Sequence, residues 1–408
     1  MMNDVKLYLA LPVLKEFANL PALVELLNQQ TERNFRLVAC VDHYEHWRKQ
    51  AEFEETISDN EKSLEYLLSV DAFPVTIIDH ALPGKGWSLK NGGVGWARKM
   101  AMDAIAKIAR PEDIIVSIDA DTYYPPNYLS EIKKIFNQDT KAVGLSIPYY
   151  HELVGNDTDK LILRYELYMR HYALNMLLIK NPYAFTAMGS AMAFPVWAYQ
   201  KVGGITPVKS GEDFYFIQKL VKTGRLMNWC ETVAYPSPRF SNRVLFGTGP
   251  ALIKGNTGDW TSYPIYHPEL FIAVATTFSN FGQLYIKDME TPMDEFLFSC
   301  FKVNDLWQPL RKNYRSMENF VRACINKVDG LRILQFLRQQ QQLLEVSDAQ
   351  VFAQTYQHDL SLILSENQIQ VLAKSGFNSL TTDQLDFLRN RLFQKENSLR
   401  KEMQFNCL

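Results

Sequence analysis

"VSIDADTYYP", residues 116–125, is the stretch on which the reading of this chain turns. Val116, Ser117 and Ile118 are apolar or small, as in a buried strand. Asp119 and Asp121 then stand on either side of Ala120, and the chain turns through Pro125 and Pro126. Two carboxylates this close repel each other. Three readings are open: a solvated turn, an Asp that caps the next helix, or a divalent cation or its ligand held between the two.

The same strand-then-acid pattern recurs upstream. "VKLYLALPVL" (5–14) reads as a first buried strand ending at Pro12, and "LPALVELLNQQ" after it has helical spacing. "FRLVACVDH" (35–43) is a second strand ending in Asp42, and residues 44–70 are polar and helical. "PVTIID" (74–79) gives a third strand ending in Asp79. The Gly-rich loop "PGKGWSLKNGGVG", the helix "WARKMAMDAIAKIA" stopped by Pro111, and the fourth strand "DIIVSIDAD" follow. Alternating strands and helices predict an α/β fold with a mainly parallel sheet flanked by helices. Ligands of such sheets bind at the carboxyl ends of the strands. Asp42, Asp79, Asp119 and Asp121 are therefore expected around one crevice.

The chain has 408 residues, enough for two domains. Apolar residues make up 47% and charged residues 22%, the balance of a folded protein rather than a disordered one. A net charge of -2 gives no whole-molecule attraction to nucleic acid or an anionic membrane. The five cysteines are scattered without metal-ligand spacing, which fits free thiols in a reducing, cytoplasmic compartment. Asp4, Lys6 and Glu16 interrupt the N-terminus, so no signal peptide is expected. The uncharged run 181–200 is broken by Asn181, Pro182, Gly189, Ser190 and Pro195, which argues against a transmembrane segment.

From about residue 286 the pattern changes. Ser347 with Gln350, Ser365 with Gln368, and Thr381 with Gln384 each have capping-box spacing ahead of a helical apolar pattern. We expect a catalytic domain over 1–285 and an α-helical accessory domain over 286–408, the latter a candidate for self-association or for binding a protein partner or a membrane face.

Four features in this order resemble family 2 glycosyltransferases of the GT-A fold. They are the strand–helix–strand opening at 5–43, "NGGVGWARKMAMDAI", Asp119-Ala120-Asp121 as a DxD motif, and "GEDFYFIQKLVKTG" as a Glu-Asp motif at a helix start. The resemblance covers roughly residues 5–225. It departs from the family where His43 and Tyr44 follow Asp42 in place of a second acid and a Gly-Ser pair, and where Lys99 replaces a common Asn.

The resemblance implies an inverting, metal-dependent hexosyltransferase of polysaccharide or glycoconjugate biosynthesis. Its donor would be a nucleotide-diphosphate sugar, UDP first with GDP or dTDP open, and its acceptor a glycan or glycolipid. Asp121, with Asp119, would hold Mn2+ or Mg2+ against the diphosphate. Asp42 would read the base and Asp79 the ribose. Pro12, Asn91, Gly92 and Ala120 would border the nucleotide, and Arg98 would offer a fork to phosphate or base. Gly189, in "TAMGSAMAF", would line the sugar and acceptor pocket. Asp213 would be the general base and Glu212 its neighbour on the donor. Arg243, with Arg239 and Lys254 in a Gly-rich loop, would close over the diphosphate.

Structural alternatives stand beside each role. Glu212 and Asp213 suit the first turn of any helix. Asp42 and Asp79 suit loops, "TAMGSAMAF" a tight strand pair, and residues 237–255 a plain surface loop. His151 and His267 are third-ligand candidates or structural residues. "GGVG" lacks the spacing of a dinucleotide fingerprint. Two other functions compete: a sugar-phosphate nucleotidyltransferase, for which the first strand lacks a Gly-rich basic loop, and a non-catalytic nucleotide-sugar-binding scaffold.

Overall fold

The computed structural model describes residues 4–208, 210–240 and 247–405. The strands are β1 (Leu7–Val13), β2 (Phe35–Asp42), β3 (Val75–His80), β4 (Ile114–Ser117), β5 (Thr122–Tyr123), β6 (Gly144–Ser146), β7 (Met192–Pro195), β8 (Leu226–Met227) and β9 (Tyr235–Pro236). Among them run the helices α1 (Leu20–Asn28), α2 (Glu54–Ser69), α3 (Val94–Ile108), α4 (Tyr128–Gln138), α5 (Thr158–Leu178), α6 (Val196–Lys201) and α7 (Glu212–Val221). α8 (Thr248–Asn256) and further helices complete the chain.

Seven strands form one sheet in the order β3-β2-β1-β4-β7-β6-β8. Only β7 runs against its neighbours, so the expected mainly parallel sheet flanked by helices is present, with a helical C-terminal part. β1 and β2 lie deep in the sheet, and Leu7, Leu9, Leu11, Leu37 and Val41 are fully buried. Covered on both faces, such strands read as continuous apolar runs rather than alternating ones. The chain lays down β2 and β3 on one side of β1 and then returns to place β4 on the other. In open α/β sheets such a reversal is where ligands bind, which here marks the carboxyl ends of β1 and β4.

Local chemistry fits this position. The last ladder bond between β4 and β1 runs from Ile118 N to Ala10 O, at 3.1 Å. Pro12, which has no N–H to give, lies beyond it, in register with Cys40 of β2 alone. The two-residue strands β5 and β9 pair antiparallel, Thr122 with Pro236 and Tyr123 with Tyr235. That ribbon joins the stretch after Asp121 to the segment leading to Arg239.

Contacts divide the chain into two units. The first takes the chain up to Ile162, Phe185–Thr257 and the chain from Gln404, and the second takes Leu163–Ala184 and Gly258–Met403. In the first unit Gln404 closes on the stretch after β8. Its Oε1 accepts from Asn228 N at 3.2 Å and Trp229 N at 3.0 Å, and its Nε2 donates to Trp229 O at 3.0 Å. The second unit is helical. All three capping boxes form there, the reciprocal bonds at Thr381 and Gln384 being 2.9 and 3.2 Å. Within it Glu166, Arg170, Arg389, Glu396 and Arg400 are buried together. Arg170 donates to Glu166 at 2.8 Å and to Glu396 at 2.9 Å, Arg389 lies 3.7 Å from Glu166, and Arg400 pairs with Glu396. No helix among the described residues is long and apolar enough to cross a membrane.

Candidate active site

Arg98 is the hub of the crevice. α3 starts after Gly93, whose φ of 89° suits glycine. The helix carries Arg98 on its buried face, where the side chain is 3% exposed. Nη2 donates to Asp119 at 2.9 Å, Nη1 to the Gly189 carbonyl at 2.7 Å and to the Ser117 hydroxyl, and Nε to Glu212 at 3.3 Å. A Cβ on Gly189 would come within 2.6 Å of the guanidinium, so only glycine allows this approach. Burial works against the charge on Arg98, but Asp119, Glu212 and Asp213 more than offset it and raise its pKa. The sequence reading turned Arg98 toward phosphate or base. In the structure its donors turn inward instead, because three acids and a buried carbonyl surround it.

α7 begins after Gly211, in the left-handed region at φ 79°. Glu212 is buried and Asp213 half-buried. An Asp213 oxygen accepts from Phe214 N at 2.7 Å. Both carboxyls are raised above their ordinary values. Burial is the main cause for each, with the Asp213 charge next for Glu212 and the Asp119 charge adding for Asp213. One buried guanidinium thus faces three carboxyl groups. A half-buried carboxylate raised this way is a stronger base than an ordinary one.

Asp121 does not meet Arg98. Its Oδ2 lies 2.6 Å from Arg239 Nε, and Arg239 Nη2 also donates to Glu16. Glu16 follows β1, and its other oxygen accepts from Asn19 Nδ2 at 2.5 Å. Sequence reasoning missed Glu16, although it stands beyond a strand end as Asp42 and Asp79 do. Among the described residues no group of three His, Cys, Asp or Glu is gathered around a metal position. Asp119 and Asp121 nevertheless fit a divalent cation completed by phosphates, since Asp121 already holds a cation, the Arg239 guanidinium. His151 is buried, with Nε2 3.4 Å from the Thr248 hydroxyl. In the second unit, His267 Nδ1 accepts from Glu269 N at 3.3 Å and so caps a helix.

At the ends of β2 and β3 the arrangement is aromatic. Asp42 is buried and accepts from Trp87 Nε1 at 2.6 Å. Burial pushes its carboxyl up to about 7, against the lowering effect of that bond. Trp87 stacks on His80 with ring centroids 3.7 Å apart. Tyr44 packs against Gly92 so closely that a Cβ there would meet the ring at 2.5 Å. Asp79, the expected ribose reader, serves its own turn. It accepts from Ala81 N at 2.9 Å, Leu82 N at 3.0 Å and Lys85 Nζ at 2.7 Å, and these bonds outweigh burial and lower its pKa. Asn91 is exposed and Ala120 buried. Arg243 lies outside the described residues.

No protein-family model matches the sequence, and no curated protein does. Among solved structures the chain is similar to the mannosyltransferase PcManGT from Pyrobaculum calidifontis in complex with GDP-Man and Mn2+. The identity is 13%, coverage 97% of this chain and 88% of that one, and the TM-score 0.42. It is also similar to residues 1–349 of S. aureus TarS in complex with UDP, at 14% identity, 98% and 92% coverage and a TM-score of 0.36. A longer S. aureus TarS structure matches at 13% identity, 79% and 55% coverage and a TM-score of 0.37. At these identities and scores the functional reading rests on the chain's own site.

Proposed function

We propose that this protein is a glycosyltransferase moving a sugar from a nucleotide-diphosphate sugar to an acceptor hydroxyl with inversion, in the building of a polysaccharide or glycoconjugate. The observation that carries the reading is the Arg98 bridge. One buried guanidinium links Asp119 at the end of β4 to Glu212 at the start of α7. The two acidic motifs of the resembled family thus meet at one guanidinium, although 93 positions separate these acids (212 − 119).

Asp213 accepts the acceptor's proton as the hydroxyl oxygen attacks the anomeric carbon. Its raised pKa makes it a better base than an ordinary carboxylate. Arg98 and Glu212 hold the surrounding charges in place. Asp42 receives an N–H of the base, and the aromatic rings of Tyr44 and Trp87 border the nucleotide. A divalent cation, Mn2+ or Mg2+, held by Asp121 and Asp119 would neutralise charge on the leaving diphosphate.

Asp213→Asn tests the assignment, because an amide cannot take the proton. We expect kcat for transfer to fall about a thousandfold, within the usual range for a lost general base, while donor binding persists. Screening nucleotide sugars identifies the donor, and NMR of the product reads its anomeric configuration. Retention of configuration, or near-normal turnover of Asp213→Asn, would overturn the mechanism.

A further inference from the structure

Arg239 joins two carboxylates that come from distant parts of the chain. Its Nε is 2.6 Å from Asp121 Oδ2, and its Nη2 donates to Glu16. The Glu16 side chain is only 6% exposed, Asp121 18% and Arg239 33%. Both ends of the contact are anchored. The β5–β9 pairing brings the Arg239 segment to the stretch after Asp121. On the other side Asn19 holds Glu16 by its second oxygen. Asp121 and Glu16 and, through charge, Asp119 raise the pKa of Arg239 over the opposing effect of burial, so the guanidinium is a permanent cation here.

We propose that Arg239 is a built-in counter-cation that competes with the divalent metal for Asp121. A carboxylate can accept both a guanidinium N–H and a metal ion, but the two cations repel across it and each reduces the negative charge the other meets, so occupancy by one weakens the other. Metal entry is therefore eased when Arg239 withdraws from Asp121. Glu16 is the carboxylate that keeps the guanidinium from being released into solvent. Two consequences follow. Without the metal, Asp121 is neutralised by the chain itself and does not repel its acidic neighbours. With the metal, affinity is set by the difference between coordination and an ion pair already made. This rests on the proposed reading of Asp121 as a metal ligand.

The experiment uses Mn2+ alone, without nucleotide, and follows the free aquo-ion signal by electron paramagnetic resonance. Arg239→Gln is expected to bind Mn2+ about tenfold tighter than wild type, and Asp121→Asn to lose binding. Thermal unfolding supplies a second readout. Mn2+ should raise Tm further in Arg239→Gln than in wild type, because the variant's carboxylates begin without the competing guanidinium. Arg239→Lys, whose single ammonium lacks the fork that spans both acids, should give an intermediate gain and serves if Arg239→Gln does not fold. Equal or weaker Mn2+ binding in the Arg239 variants, with binding still lost in Asp121→Asn, overturns the competition and leaves the metal site standing. Binding unaffected by Asp121→Asn overturns the metal assignment and the competition with it.

Discussion

The two units bury charge in opposite proportions. In the second unit, Glu166 and Glu396 are surrounded by Arg170, Arg389 and Arg400. In the first, Arg98 alone stands among Asp119, Glu212 and Asp213. The second cluster sets three guanidinium groups against these two carboxylates and ties its helices together. The first has a surplus of acid, and burial, aided by the neighbouring carboxylates, pushes Glu212 and Asp213 up in pKa. Buried charge with matched partners holds structure together. Buried carboxylate in excess is poised for an incoming proton or cation, at the expense of stability.

The largest expected effect is on the matched cluster. Arg170→Ala would leave Glu166 and Glu396 short of a cation in a water-excluded site, and removing one partner of a buried pair costs about 3–5 kcal/mol. Denaturant unfolding measures this, and a loss below about 1 kcal/mol would break the comparison. A smaller effect of opposite sign is expected at the acid-rich site. Glu212→Gln removes one of three repelling acids and should raise stability by about 1 kcal/mol while lowering sugar transfer. A fall in Tm would show that the bond from Arg98 to Glu212 outweighs the repulsion among the three acids.

A third effect, no larger than the second, depends on pH. The Asp42 carboxyl, held at about 7 by burial, lies above the ordinary value of roughly 3.9 for an unfolded aspartate. A raised folded pKa gives stability that is present at low pH and lost as pH rises through that value. Wild type should therefore be about 1 kcal/mol less stable at pH 8 than at pH 6 on this account. Asp42→Asn should flatten that slope. An unchanged slope in the variant would place the titration elsewhere.

What the sequence disclosed follows from the range of the interactions. The capping boxes at Ser347, Ser365 and Thr381 need only three residues of separation, and all three form as read. The first four strands carry their own apolar runs, and each has an acid near its carboxyl end. The antiparallel direction of β7 depends on a long-range return that no local period encodes. Arg98 could be singled out but not aimed, since Ser117, Asp119, Gly189 and Glu212 meet only in three dimensions. Asp79 was legible as a strand-end acid, but its bonds to Ala81, Leu82 and Lys85 come from a turn whose shape the sequence did not show. Arg239 reaches Asp121 beyond a two-residue ribbon, too short to leave any alternation to read.

The closure of Gln404 on Trp229 sets an order of events during synthesis. The two residues lie 175 positions apart. At roughly 5–20 residues per second the later one follows the earlier by about 10–35 s. Gly258–Met403, the larger part of the second unit, is made in that interval. The first unit, although it holds the earliest strands, therefore cannot finish folding ahead of the rest. Its backbone at Asn228 and Trp229 waits for a late partner, and contacts of such long sequence separation slow the final step.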